Sequence, residues 1–417
     1  MLTHTREDVA VDRARAEDPG GLRPRRILHV LARMDRGGIE TSLMELLRTI
    51  DRQRYHMDFL ALSEQPGAQD EDIRALGSRI TVAPASRRPW LFARHFKRIV
   101  REHGPYDVIH SHVHFYGGYV LRLALRQGIP LRIAHSRNDT RVAEQGRGWP
   151  RRCYVWLMRR WVSRYANFRI AISRTAAEDL FGDRWQQDDR FRMIYSGRDF
   201  SPYALPRDRA EVRASLGLPA DAFVLGHVGR FYWRKNHRFV IEVAAALLRH
   251  EPRVWLLLVG DGPRQGEIEA FARDLGIADR VIFTGACADV PRLLRGAMDA
   301  YVFPSHHEGL GMAVVEAQAA GLPCVIASTM PEEIDVVPGL IHRLPLSAPA
   351  DVWAERILEA ASAPRPSPEE ALRAVCASDF EVQRSLASIQ AVYDMAGDDR
   401  PAASRARAAT RQPGNDR

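Results

Sequence analysis

The sequence predicts an α/β chain of two doubly wound domains, each an open parallel sheet with helices on both faces. Short, mostly apolar runs at 27–31, 223–227 and 300–303 alternate with helical patterns, as buried parallel strands joined by crossover helices do. Glycine-rich turns follow such runs at Gly37-Gly38, Gly260-Asp261-Gly262 and Gly309-Leu310-Gly311, and ligands of open α/β sheets bind at the carboxyl ends of strands. A chain of 417 residues with 46% hydrophobic content can bury two cores.

The first domain is expected over 25–203. Ile27-Leu28-His29-Val30-Leu31 opens it as a buried strand, and Gly38 in the turn beyond lets backbone approach a ligand. Asp70-Glu71-Asp72 has the Asp-x-Asp pattern of a divalent-cation site, but it runs into Ile73-Arg74-Ala75-Leu76 and reads as a solvated helix start. Histidine ends the apolar runs Asp107-Val108-Ile109-His110-Ser111-His112 and Leu131-Arg132-Ile133-Ala134-His135-Ser136. Alternation places His110 and His112 on one strand face, a pair of metal-ligand type without a third ligand at a recognisable spacing, so no metal site is expected. His29, His227, His306 and His307 receive no catalytic role. The Pro-punctuated stretch from Pro202 to Pro206 marks the boundary between domains.

The second domain is expected over 204–378. After the run 223–227 comes Val228-Gly229-Arg230-Phe231-Tyr232-Trp233-Arg234-Lys235-Asn236. Arg230 offers a planar fork and Lys235 a compact charge, a combination suited to a diphosphate. Gly260-Asp261-Gly262-Pro263 is no dinucleotide fingerprint, since the next glycine is Gly266 and a Pro follows at once, so a nicotinamide dehydrogenase is not expected. The strand 300–303 ends at Pro304, and Glu308 and Glu316 stand eight positions apart around Gly309-Leu310-Gly311. The residues from Met312 onward are mostly good helix formers, so the turn opens a helix whose unpaired N–H groups and positive dipole end suit an anion. Beyond Pro364, Pro366 and Pro368 a helical pattern resumes and continues through Tyr393.

These segments resemble the Glu-x7-Glu signature of the retaining GT-B glycosyltransferases of family 4, with Glu308 and Glu316 as the acids and 229–236 as the Gly-Arg…Lys-Asn loop. The resemblance implies two Rossmann-like domains facing a central cleft, with a helix at 379–395 crossing back onto the first. It implies catalytic roles for Glu308, His135, Arg230 and Lys235: Glu308 at the donor sugar, His135 beside it, and the two cations on the leaving diphosphate. Gly38, Gly229, Gly260, Gly309, Leu310, Gly311 and Glu316 would complete the nucleotide-sugar site, Glu316 at the ribose. Tyr195-Ser196-Gly197-Arg198-Asp199 stands where the family has Asn-Gly-Val-Asp, and Ser196 and Arg198 depart from that pattern. Together with Ala134-His135-Ser136-Arg137-Asn138 and Pro331-Glu332-Glu333-Ile334-Asp335, the motifs resemble bacterial exopolysaccharide and capsule transferases. The implied donor is a UDP-sugar, the acceptor a glycan or lipid-linked glycan, with no further cofactor and no essential Mg2+ or Mn2+. The competing readings are a catalytically inactive nucleotide-sugar-binding protein and a phosphorylase of the same fold.

The net charge of +8 comes without a nucleic-acid-binding signature, so no nucleic-acid partner is expected. Two basic-aromatic stretches, 86–98 and 147–169, lie in the first domain. In the latter Tyr154, Leu157, Met158, Trp161, Val162 and Tyr165 recur at helical spacing beside many arginines. That pattern fits either an anionic membrane surface or a helix packing on its own core. Residues 1–24 and 396–417 read as unstructured, and the scattered Cys153, Cys287, Cys324 and Cys376 as free thiols. The expected location is the cytoplasm, peripheral at the inner face of its membrane.

Overall fold

The computed structural model describes residues 23–35, 37–84 and 88–397. Nearly all of the expected extension 1–24 and tail 396–417 lies outside the described residues, as do Arg36, Ser86 and Arg87. Strands β1 (Arg25–Leu31), β2 (Tyr55–Ala61), β3 (Ile80–Val82), β4 (Val108–Ser111), β5 (Leu131–Ser136), β6 (Phe168–Ala171) and β7 (Phe191–Met193) form a parallel sheet in the order β3-β2-β1-β4-β5-β6-β7. Strands β8 (Phe223–Val228), β9 (Val254–Val259), β10 (Val281–Phe283), β11 (Ala300–Phe303), β12 (Cys324–Ala327) and β13 (Ile341–Leu344) form a second, ordered β10-β9-β8-β11-β12-β13. Strand order reverses between β1 and β4 in one and between β8 and β11 in the other. Such switch points open a crevice at the strands' carboxyl ends.

Burial explains the apolar runs. Every residue of β4, β6, β11 and β12 is buried, because helices cover both faces of each sheet. Phe200 and Tyr203, at the expected boundary, pack in a core formed largely by the second domain, to which Ile172 and Ala176 of the first also contribute. Phe380 belongs to that same core, beyond the expected end at 378. The chain then crosses back: Val382 N–H donates to the Arg198 carbonyl at 3.0 Å, and the helix Val382–Asp394 sets Leu386, Ile389, Val392 and Tyr393 into the core of the first domain.

The basic-aromatic stretches divide between core and solvent. In the helix Trp149–Tyr165, Met158 and Val162 are buried, and Tyr154, Trp161 and Tyr165 pack against the same core. Most of the stripe read as a possible membrane face is therefore a core face, held where Gly118 lets the helix Gly117–Arg126 approach the Met158 carbonyl. Solvent instead meets Trp149, Trp156 and Leu157, at 75%, 63% and 36% exposure, and Trp90 at 69% on the helix Pro89–His103.

One buried carboxylate ties the edge of the first sheet together. Asp58 on β2 accepts from Arg26 at 3.1 Å, from the Tyr106 hydroxyl at 2.9 Å and from the Arg79 N–H at 3.0 Å. Burial pushes its pKa up, but its contacts with His56, Arg79 and Tyr106 outweigh this and hold it at about 2. A depressed folded-state pKa contributes stability that is present above the unfolded value near 3.8 and is lost as pH falls through about 2. Asp58→Ala should therefore cost about 3 kcal/mol in urea denaturation at pH 7, and the gap to the unsubstituted protein should narrow at pH 3.

Candidate active site

The loops after β8 and β11 supply one wall of the cleft. Phe231 is buried and stacks on His237 at 4.1 Å, which anchors the middle of the loop and leaves Arg230 and Lys235 facing the crevice. Asn236 takes a left-handed conformation at φ 55° and starts the helix His237–His250. Lys235 Nζ lies 2.8 Å from Glu308 Oε1 and 4.4 Å from the centre of the Phe303 ring. Arg230 spans the crevice, 3.4 Å from Asp35 of the first domain.

After β11 the chain turns through Glu308, Gly309, Leu310 and Gly311 into the helix Met312–Ala319. Gly311 has φ +98°, a conformation that favours glycine, and no side chain caps the helix, so its first N–H groups are open to an anion at the crevice. One turn in, Glu316 Oε1 lies 2.8 Å from Arg198 Nε, and Arg198 also reaches Glu45 of the first domain at 3.5 Å. Burial by itself lowers the Arg198 pKa, and Glu316 and Glu45 more than offset it.

The first domain supplies the opposite wall. The helix Gly38–Thr49 begins at the crevice, carrying Glu40, whose pKa burial pushes up. From the end of β5, Arg137 and Asn138 project alongside. The walls meet at Gly309: the Ser173 hydroxyl donates to its carbonyl at 2.5 Å, and a Cβ there would collide with the Arg137 carbonyl.

Gly38, Gly229, Arg230, Lys235, Glu308, Gly309, Leu310, Gly311 and Glu316 thus line a single cavity of about 410 Å3. Two expected members do not. Gly260, at φ +138°, packs behind the loop against the Gly229 carbonyl and shapes it. His135 lies behind the first-domain wall, 2% exposed, beside a separate cavity of about 20 Å3. The reason is where the strand ends: His135 belongs to β5, which stops at Ser136 and is buried over its last four residues, whereas Arg137 lies in the loop beyond and lines the cleft from there. The third histidine missing from the sequence pattern is His29, which joins His110 and His112 with ring nitrogens within 4.8 Å of one another. Those nitrogens are engaged with one another, with Tyr393 and with neighbouring side chains. Sequence reasoning also passed over Arg137, Glu40 and the partners of Arg198. For Arg198 the departure from the family's turn was the available signal.

Chemically, the cavity sets cations and a helix N-terminus beside two carboxylates. An anionic leaving group can be held on the basic side while Glu308 and Glu316 accept from hydroxyl groups.

Residues 36–201 match the family model described as Glycosyltransferase Family 4, and residues 208–369 the model described as Glycosyl transferases group 1. The chain is 36% identical over 375 residues to the putative glycosyltransferase EpsF of Bacillus subtilis, covering 89% of this chain and 97% of that protein. It is 33% identical to the D-inositol 3-phosphate glycosyltransferase of Actinosynnema mirum, over 71% of this chain and 74% of the relative. Anabaena Alr3699/HepE, solved in complex with UDP and glucose, superposes with a TM-score of 0.72 at 21% identity, covering 88% of this chain and 99% of that one. The matched models span both domains on either side of the cleft, and the chain is a member of the GT-B glycosyltransferases of family 4, group 1.

Proposed function

We propose that this protein is a retaining glycosyltransferase that moves a hexosyl unit from a UDP-sugar to a lipid-linked glycan in bacterial exopolysaccharide or capsule synthesis. The observation that carries this reading is the cavity in which Arg230, Lys235 and the open N-terminus of Met312–Ala319 converge on one side of Glu308. The UDP donor is supported by HepE, solved with UDP and glucose, and the cell-surface role by the likeness to EpsF.

Binding proceeds by exchange of partners. The donor diphosphate displaces Glu308 from Lys235 and Asp35 from Arg230, so each cation remains neutralised while the Glu308 carboxylate turns to a sugar hydroxyl. Glu316 similarly shifts from Arg198 to the ribose. As the glycosidic bond breaks, negative charge builds on the leaving phosphate, where Arg230, Lys235 and the helix N–H groups already point. The acceptor hydroxyl attacks from the same face and its proton passes to the departing phosphate, which retains configuration. No metal is required in this scheme. Trp149 and Trp156, exposed beside Arg152 and Arg160, would hold the first domain against anionic lipid and bring a lipid-linked acceptor to the cleft.

Release of UDP from a panel of UDP-sugars, with a membrane lipid extract as acceptor and EDTA present, tests the reading. Lys235→Ala and Glu308→Gln should each lower turnover by on the order of 10²-fold, and unchanged turnover in either would sink the assignment. Arg230→Lys replaces a bidentate fork by a point charge and should cost about 10-fold. Donor binding without release under any acceptor would favour the inactive binding protein. In flotation with anionic vesicles, the pair Trp149→Ser and Trp156→Ser should weaken binding about 10-fold, whereas equal flotation would remove the membrane role.

A further inference from the structure

Arg137 is a buried charge that the donor-binding scheme leaves without a role. It is 6% exposed, yet among the described residues no carboxylate lies within ion-pairing range, and Glu40 acts on it only from a distance. Buried charges are ordinarily paired. Burial lowers its pKa to about 10, which still leaves it protonated at neutral pH. Its terminal nitrogen sits 3.1 Å from the Ser196 hydroxyl and 3.4 Å from that of Ser42, and the residue lines the cleft.

Behind it runs a continuous chain of hydrogen bonds. Arg137 Nε donates to His112 Nδ1 at 3.3 Å; His112 Nε2 meets His29 Nδ1 at 3.0 Å; and His29 Nε2 meets the Tyr393 hydroxyl at 3.4 Å. That hydroxyl meets His110 Nδ1 at 2.9 Å, and His110 Nε2 meets His135 Nδ1 at 2.9 Å. A guanidinium can only donate, so His112 must present a bare Nδ1 and carry its proton on Nε2. Each later link then donates in the same direction, ending at a His135 protonated on Nε2, the one ring nitrogen of the chain without a partner. The histidines are buried, and that burial, with the charge of Arg137 nearby, holds them neutral.

We propose that Arg137 is an anion-binding residue of the cleft, positioned from behind by the chain through His112, His29, Tyr393, His110 and His135, and that it takes a phosphate group of the donor or of the acceptor. Assigning that phosphate to donor or acceptor rests on the transferase reading; the anion site itself does not. Tyr393 joins the chain from the last helix, so the return of the polypeptide to the first domain links His29 to His110, and the guanidinium sets the direction in which every histidine donates.

The test compares the full-length protein with Arg137→Met and Tyr393→Phe by calorimetric titration with UDP, and with inorganic phosphate in the presence and absence of UDP. Removing an unpaired buried cation should leave the thermal midpoint equal or raised without ligand, while the midpoint rise caused by phosphate disappears. A loss of UDP affinity of 10-fold or more in Arg137→Met assigns Arg137 to the donor diphosphate. Unchanged UDP affinity with phosphate binding lost from the UDP-loaded protein assigns it to an acceptor phosphate. Binding of both within twofold of the unsubstituted protein overturns the anion site. Tyr393→Phe keeps the guanidinium but breaks the chain: nitrogen-15 spectra of labelled histidine should show altered tautomers, and affinity for the same anion should fall at least threefold. Unaltered tautomers or affinity would overturn the positioning role. If the unsubstituted protein binds no UDP, the transferase reading fails, and the phosphate titration still decides Arg137.

Discussion

The arrangement of the cleft depends on compensation of charge in a partly desolvated space. Lys235 is neutralised by Glu308, Arg198 by Glu316 and Glu45, and Arg230 by Asp35. Ion pairs of this kind are held less by their net energy than by the cost of leaving either partner alone. In the proposed reaction a diphosphate would release Glu308 and Asp35 by replacing them as counter-charge to Lys235 and Arg230. On that proposal the two ion pairs become ligand contacts, and Glu308 is freed for the sugar hydroxyl groups.

The fold makes that exchange possible by bringing two switch points face to face. Most residues lining the cleft come from the loops after β1, β5, β8 and β11, joined by Ile172 after β6 and by Ser196 and Arg198 in the connection between the domains. Two of the pairs reach from the first domain: Asp35 with Arg230, and Glu45 with Arg198 in the connection between the domains. Charge compensation and the relative position of the domains are therefore the same constraint. A hydrogen bond from Arg198 N–H to the Phe380 carbonyl, at 2.9 Å, places the crossing of the last helix beside the residue that holds Glu316.

The first domain adds a polar core of unusual composition. His29, His110, His112 and His135 stack and tilt against one another at ring separations of 4.3 to 5.3 Å with Tyr393 at their edge. Such a cluster is tolerable because nearly every ring nitrogen has a partner, which a buried polar network requires. At its cleft end stands Arg137, whose guanidinium is the one donor-only group among these hydrogen-bonded side chains.

The sequence by itself determined the fold class and which glycine-rich loops face the cleft. Buried parallel strands are apolar over their whole length, ligand turns need glycine, and both are local properties, so 27–31, 223–227 and 300–303 with their following loops were legible in order. Spacing in sequence likewise set Glu308 and Glu316 around one helix start. What only the tertiary structure decided is what lies far apart in the chain. His135 stays inside because it belongs to the buried end of β5, whereas Arg137 lies just beyond the strand and lines the cleft. His29 joins His110 because β1 pairs with β4, and Tyr393 arrives from a helix more than 250 residues away. The partner of each charge and the core side of the helix Trp149–Tyr165 belong here too, since local periodicity shows that a helix has an apolar face but not what covers it.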